Sequence, residues 1–134
     1  MNARAPQRKI ATVALVVAGY DEAIEWYVKK LGFALFDDVD LGGGKRWVTV
    51  GPADGGMRLL LAEAADESQR ARIGDQTGGR VFLFLETDDF SRDHAAMCAT
   101  GVDFREAPRH EAYGTVAVFA DLYGNLWDLI EPKR

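Results

Sequence analysis

The stretch "AYGTVAVFADLYGNLWDLIEP" (residues 112–132) decides the fold of this 134-residue chain. Its β-branched and apolar residues predict two strands joined by a turn at Gly124 and Asn125. Asp128 stands in the second strand among leucine, tryptophan and isoleucine. An ionised carboxylate in an apolar strand is costly unless it finds a metal, a cation or hydrogen-bond donors. Asp128 is therefore either a site residue or a residue that faces water.

The first half of the chain predicts one β-α-β-β-β unit. The segment "IATVALVVAG", which begins at Ile10, predicts a largely buried strand. The segment "YDEAIEWYVKKLGF" then has apolar residues at helical spacing, acids near its start and Gly32 at its end. It predicts an amphipathic helix of about three turns. Three strands are predicted after it, with glycine-rich turns between them: Ala34–Asp40, Lys45–Val50 and Met57–Glu63.

The second half repeats this order after a polar connector, residues 64–79, that predicts one helical turn. A strand "RVFLFLE", a helix from about Asp89 to Thr100, a short strand "VDFREA" and the opening hairpin follow. Gly32 and Gly101, which each end a helix, are 69 residues apart, and Leu60 and Asp128 are 68 apart. The sequence therefore predicts a single α+β domain over residues 1–134, made of two tandem βαβββ modules. The modules span about residues 10–63 and 80–132, and their curved mixed sheets surround a cleft.

Composition limits the partners of the chain. The net charge of −5 and the pI near 5.0 argue against nucleic acid and anionic membranes, which both attract basic surfaces. Cys98 is the single cysteine, so no intrachain disulfide can form and nothing indicates an oxidising compartment. No apolar run has the length of a membrane span, and we expect a cytoplasmic protein.

A sheet with one helix buries only one of its faces, so the second face of each module needs a cover. The cover is a second module or a second chain. Clefts between such units are common small-molecule sites. A small-molecule partner is therefore the expectation from the architecture.

Two segments are similar to the vicinal-oxygen-chelate superfamily. The segment "VALVVAGYDEAIEWYVKKLGF" resembles its first strand and helix, and the opening stretch resembles its last hairpin. The superfamily includes glyoxalase I, bleomycin-resistance proteins, fosfomycin-resistance enzymes and extradiol dioxygenases. The resemblance covers about residues 10–132 and implies paired βαβββ modules, commonly a homodimer. In the enzymes it also implies a divalent metal held by four ligands.

The four ligand positions of the superfamily carry over to Thr12, to Leu60, to Arg80 or Val81, and to Asp128. Only Asp128 is a metal-ligating residue type, and one oxygen donor cannot hold a catalytic metal. No metal or other cofactor is therefore expected. A divalent metal would need substitute ligands such as Glu86 or Glu63.

Strand spacing adds aromatic candidates for the walls of the cleft. Counting by twos from Arg80 places Phe82, Phe84 and Glu86 on one face of their strand. His94 is expected to pack at the surface of the second helix and His110 to lie in a polar loop, so neither indicates a catalytic triad. The predicted ligand-binding residues are Thr12, Trp47, Leu60, Phe82, Phe84, Glu86, Tyr113 and Asp128.

Two functions fit this sequence. The first is a homodimeric protein, similar to the bleomycin-resistance branch, that binds a small organic molecule in the inter-module cleft without a metal. The alternative is a metal-dependent lyase, isomerase or dioxygenase, like glyoxalase I or an extradiol dioxygenase, whose metal ligands are displaced. The sequence favours the binding protein and assigns no catalytic residue.

Overall fold

The computed structural model describes residues 4–134, and its first half forms a four-stranded sheet with one helix. The strands lie in the order β1, β4, β3, β2, with β1 and β4 parallel and the other neighbours antiparallel. Helix α1 continues without a break as a π-helical segment, Trp26–Lys30. The elements are β1 (Thr12–Val17), α1 (Tyr20–Glu25), β2 (Ala34–Gly42), β3 (Lys45–Gly51) and β4 (Arg58–Glu63).

The second half repeats this arrangement after a connector that contains the single-turn helix α2 (Glu67–Arg70). Its strands lie in the order β5, β9, β8, β6, and the short strand β7 pairs with β8. The elements are β5 (Val81–Glu86), α3 (Phe90–Ala99), β6 (Asp103–Phe104), β7 (Arg109–Glu111), β8 (Gly114–Ala120) and β9 (Leu126–Pro132). The predicted α+β class with two mixed sheets is confirmed.

The two sheets have matching registers between their parallel strands. Thr12 lies opposite Arg58 in the first sheet, and Val81 lies opposite Leu126 in the second. Arg58 stands two residues before Leu60, and Leu126 stands two residues before the related Asp128. Val81, rather than Arg80, is therefore the counterpart of Thr12.

The structure departs from the sequence prediction in the first strand and helix. In β1, Leu15 and Val17 are fully buried while Thr12 is exposed, so the strand is covered on one face rather than largely buried. The predicted regular helix changes to π-helical geometry at Trp26, where the backbone N–H of Leu31 donates to the Trp26 carbonyl. The predicted end of the helix at Gly32 is correct, because Gly32 adopts a positive φ of 78°.

One hydrophobic core joins the helix-bearing faces of both sheets. The ring of Tyr27, from the π-helical segment, lies 6.1 Å from that of Trp127 on β9, and Phe33 lies at the same distance from Trp127. The Tyr27 hydroxyl also donates to Asp121 Oδ2 at 2.6 Å. Burial, reinforced by this carboxylate, raises the pKa of Tyr27 well above its ordinary value, so the phenol stays protonated. The modules therefore pack through their helix-bearing faces.

Among residues 4–134, no helix has the length and apolar character needed to cross a membrane.

Candidate functional site

The face of the second sheet that is turned away from the core carries Asp128. Cross-strand pairing sets Asp128 between Phe84 on β5 and Val118 on β8. Because neighbours in register point to the same side of a sheet, these three side chains share one face. Arg109 joins them, since it lies opposite Val116, two residues from Val118. We call this surface, with Glu86 at its end, the open face of module 2.

The first sheet has a corresponding open face. Thr12 lies opposite Arg58, and Thr49 lies opposite Leu60, which puts all four on the side away from the core. Trp47, two residues before Thr49, points to the same side and is 43% exposed. The open face of module 1 thus brings together three residues predicted from the sequence, Thr12, Trp47 and Leu60.

Asp128 is buried without being satisfied. The residue is only 9% exposed, and its Oδ1 atom has no hydrogen-bond partner among the described residues. Burial raises the pKa of the Asp128 carboxyl; the nearby Arg109 opposes this rise and Glu106 adds to it. The question raised by the sequence thus has a structural answer. Asp128 is largely removed from solvent, and its Oδ1 atom is unpaired.

Arg109, the cation beside Asp128, is hydrogen-bonded to other carboxylates. Arg109 Nε donates to both oxygens of Glu106 at 3.0 Å, and Arg109 Nη1 donates to Glu111 at 3.0 Å. The Glu106 carboxylate also accepts from the backbone N–H of Val118 at 3.0 Å. This ion-pair cluster holds the Arg109 guanidinium in place, and the guanidinium does not form an ion pair with Asp128. The sequence did not indicate Arg109, because β7 was not predicted as a strand. Glu106 was placed in the predicted strand "VDFREA", but it lies in the loop between β6 and β7.

The open face of module 1 has its own polar cluster. The Thr49 hydroxyl donates to Asp37 Oδ2 at 2.6 Å, and Arg58 Nη1 lies 3.4 Å from the same oxygen. The Arg58 guanidinium stands 4.0 Å from the centre of the Phe36 ring, a cation–π contact. Arg58 and Asp37 balance each other's charge on this face, whereas carboxylates outnumber cations on the other open face.

Phe82 and Phe84 lie in different environments, although they were predicted to share one face of their strand. The register of β5 shifts between Val81 and Leu83, and Phe82 packs edge-on against Trp127 in the core, with ring centres 6.5 Å apart. Phe82 therefore does not share the environment of Phe84, which is 64% exposed. Counting by twos failed here because a β-bulge changes the side to which successive residues point.

Tyr113 and the two histidines lie away from Asp128 in the sequence, in β7, in the turn after it and in α3. Tyr113 is exposed in the turn between β7 and β8. His110 lies on β7 rather than in a loop, and its side chain is exposed. His94 packs in α3 against Phe90 as expected, with the rings stacked at 5.3 Å.

Asp128 does not line either of two surface cavities of the molecule. A cavity of about 710 Å³ lies on the helix side, between Phe33 and Met97. Another of about 840 Å³ lies beside Thr12 and Arg58 at the edge of the first sheet. The open face of module 2 is only partly exposed in a single chain: Phe84 is exposed, whereas Val116 and Asp128 are buried.

A comparison with family models identifies the architecture. Residues 9–129 match the model of the Glyoxalase/Bleomycin resistance protein/Dioxygenase superfamily. The chain belongs to this superfamily. The resemblance of the first strand, the helix and the last hairpin is thereby confirmed.

Three similar proteins match nearly the full length of the chain. An uncharacterized protein of Shewanella frigidimarina (strain NCIMB 400) is 53% identical over 127 residues, which cover 93% of this chain and 94% of that protein. The structure of UcmS2 matches with a TM-score of 0.82 at 27% identity, over 94% of this chain and 99% of UcmS2. TnmS3, an antibiotic binding protein from Streptomyces sp. CB03234, matches with a TM-score of 0.77 at 26% identity, over 97% and 100% of the two chains.

The metal centre of the superfamily's enzymes does not fit the residues of this chain. The four corresponding positions are occupied by Thr12, Leu60, Val81 and Asp128, which provide one carboxylate. Of the two predicted substitutes, Glu63 pairs with the core-facing Val17 and so points away from the open face. Within residues 4–134, no three His, Cys, Asp or Glu side chains are grouped so that they could hold a metal ion. The donor set is too poor for a four-ligand site.

Proposed function

We propose that this protein binds a small organic molecule, without a metal, on its open faces. The observation that carries the proposal is the aromatic and apolar surface exposed there. Phe84 is 64% exposed, Val39, which pairs with Trp47, is 51% exposed, and Trp47 is 43% exposed. Large apolar side chains that share a surface mark interaction or ligand sites more often than chance exposure. The antibiotic binding reported in the name of TnmS3 supports the same class of function.

The proposed binding cleft requires a second copy of the chain. Within one chain, the helix-bearing faces pack against each other through Tyr27, Phe33 and Trp127. This leaves exposed apolar side chains on both open faces. We therefore propose a homodimer in which the open face of module 1 in one copy covers the open face of module 2 in the other. Because Asp37 balances the charge of Arg58, the proposed pairing rests on the exposed apolar side chains of the two faces.

Binding of Nile red, an uncharged dye that fluoresces in apolar clefts, tests the proposal. The wild-type protein is expected to enhance the dye's fluorescence in a saturable way. Phe84→Glu and Trp47→Glu each place a charge on an open face, and each is expected to weaken dye binding by about tenfold or more, because burying an unpaired charge is costly.

Leu122→Glu is the matched control. Leu122 is also an exposed apolar residue, but it lies in the turn before β9, beside Trp26 and Ala99 on the helix side. Its substitution should leave dye binding unchanged. The absence of saturable dye binding by the wild type, or equal binding by all four proteins, would rule out a ligand site on the open faces.

A further inference from the structure

Asp128 combines burial with an unmet hydrogen-bonding capacity. More than nine-tenths of the residue is inaccessible, and Oδ1 has no donor among residues 4–134. Most buried polar atoms in folded proteins have a partner, so an unpartnered carboxylate oxygen indicates that something outside the chain supplies the donor. The cation beside it does not fill this role, since Arg109 is bonded to Glu106 and Glu111.

The surroundings of Asp128 select the chemistry of that donor. Phe84 lies directly opposite Asp128 on the neighbouring strand and offers an exposed ring for packing. Carboxylates outnumber cations on this face, with Glu86, Glu106, Glu111 and Asp128 against the single guanidinium of Arg109. An anionic ligand would be repelled, whereas a hydroxyl or amino group would be attracted to the Asp128 carboxylate.

We propose that Asp128 anchors a hydrogen-bond donor of the bound ligand, a hydroxyl or amino group carried by an aromatic ring that packs on Phe84. This inference rests on the proposed ligand-binding function and names the class of molecule bound. Asp128 acts in it as a selectivity residue. Phe84 supplies contact area, and Asp128 discriminates between a ring with a donor and the same ring without one.

Two pairs of aromatic probes test the inference, each measured by displacement of Nile red in neutral buffer. Umbelliferone carries a hydroxyl group that herniarin replaces by methoxy. Proflavine carries two amino groups that acridine orange replaces by dimethylamino, while both dyes keep the ring N–H of the acridinium cation, so this pair differs only in its exocyclic donors. The wild type is expected to bind the donor-bearing member of at least one pair about tenfold more tightly, the discrimination typical of a hydrogen bond to a charged acceptor. The pair that shows the preference identifies the donor as a neutral hydroxyl or a cationic amine.

In Asp128→Leu the affinity ratio is expected to fall to about one, because the acceptor is replaced by an apolar group of similar size. Asp128→Asn keeps one acceptor oxygen and should give an intermediate ratio. Glu25→Gln is the control for lost charge, since Glu25 is an exposed carboxylate on α1 that forms an ion pair with Lys29 at 3.6 Å. It should keep the wild-type ratio.

Nile red has no N–H or O–H donor, so its binding tests the proposed ligand-binding function independently of the role of Asp128. Equal affinities within both pairs for the wild type, or a preference that persists in Asp128→Leu, would overturn the role of Asp128 while dye binding still supports the proposed function. If the wild type bound neither Nile red nor any of the four probes, the proposed function would fail, and this inference with it.

Discussion

At the scale of single residues, Asp128 shows how burial and function compete. The carboxyl is held in an apolar strand, has an unpartnered oxygen and lies beside an arginine that is bonded elsewhere. Such an arrangement lowers stability, because the desolvation of a charge is not offset by a hydrogen bond. Costs of this kind are typical of binding sites, where the ligand completes what the fold leaves unmet.

The stability cost of Asp128 should depend on pH. Burial raises its pKa in the folded chain above the value in the unfolded chain, so the folded state binds more protons between these two pKa values. Stability is therefore lost as the pH rises through that window. Asp128→Asn removes the charge, and we expect its free energy of unfolding to exceed that of the wild type by roughly 1 kcal/mol at neutral pH. The difference should shrink below about pH 4, the ordinary pKa of the carboxyl. Urea unfolding across a pH series measures both.

Asp93 provides a control of opposite sign. Its hydrogen bonds with Arg92, and a further one from Thr87, lower the pKa of the Asp93 carboxyl, so it stabilises the fold above its unfolded pKa. Asp93→Asn should lose stability at neutral pH and approach the wild type in acid. A loss of stability at neutral pH for Asp128→Asn as well would contradict the account of Asp128 as an unsatisfied acid.

At the scale of elements, the connector between the modules is held against the turn before β9. Gly74 of the connector has φ +76°, and a Cβ there would clash with the backbone carbonyl oxygen of Tyr123. Gln76, two residues later, accepts from the backbone N–H of Val16 at 3.3 Å. Asn125 accepts from the Gln76 backbone N–H at 3.4 Å. The connector thus contacts both modules and is part of the packed structure rather than a loose linker.

We expect Gly74→Ala to destabilise the fold by about 2–4 kcal/mol, the sum of a left-handed backbone cost and a backbone clash that the connector can relieve only by moving. Gly78→Ala is the matched control, because Gly78 has a similar φ of +69° but open space around its Cβ position. It should cost only about 1 kcal/mol. Chemical unfolding of both variants measures the difference, and equal losses would show that the contact with Tyr123 is unimportant.

At the scale of the whole molecule, the arrangement of the modules leaves exposed apolar side chains on both open faces, which a second copy of the chain can cover. We expect light scattering coupled to size-exclusion chromatography to give twice the chain mass of 14.8 kDa. Phe84→Glu should shift the protein towards the mass of one chain, because a charge in the interface would lose its hydration. Leu122→Glu should remain dimeric. A wild-type protein with the mass of one chain at high concentration would exclude the proposed cleft between two copies.

The sequence by itself determined the class of fold and nearly all of its elements. Apolar spacing, the acids at helix starts and the glycines at helix ends are local signals, and each was followed by the predicted element. Asp89, for example, caps α3 by accepting from the backbone N–H of Arg92 at 3.0 Å. The repeat of these signals at a spacing of 68 to 69 residues was enough to relate Leu60 to Asp128, and the matching registers of the two sheets bear this relation out.

Only the tertiary structure decided which faces meet and which residues surround Asp128. The bulge that turns Phe82 into the core, and the short strand that brings Arg109 opposite Val116, depend on pairing between distant segments. The helix-side packing of Tyr27 on Trp127 likewise joins residues that are far apart in the chain. Periodicity within a segment carries no information about such partners, because a strand's alternation is the same whichever neighbour it has. The sequence therefore marked Asp128 as unusual, and only the packing around it left its carboxylate buried and unpaired.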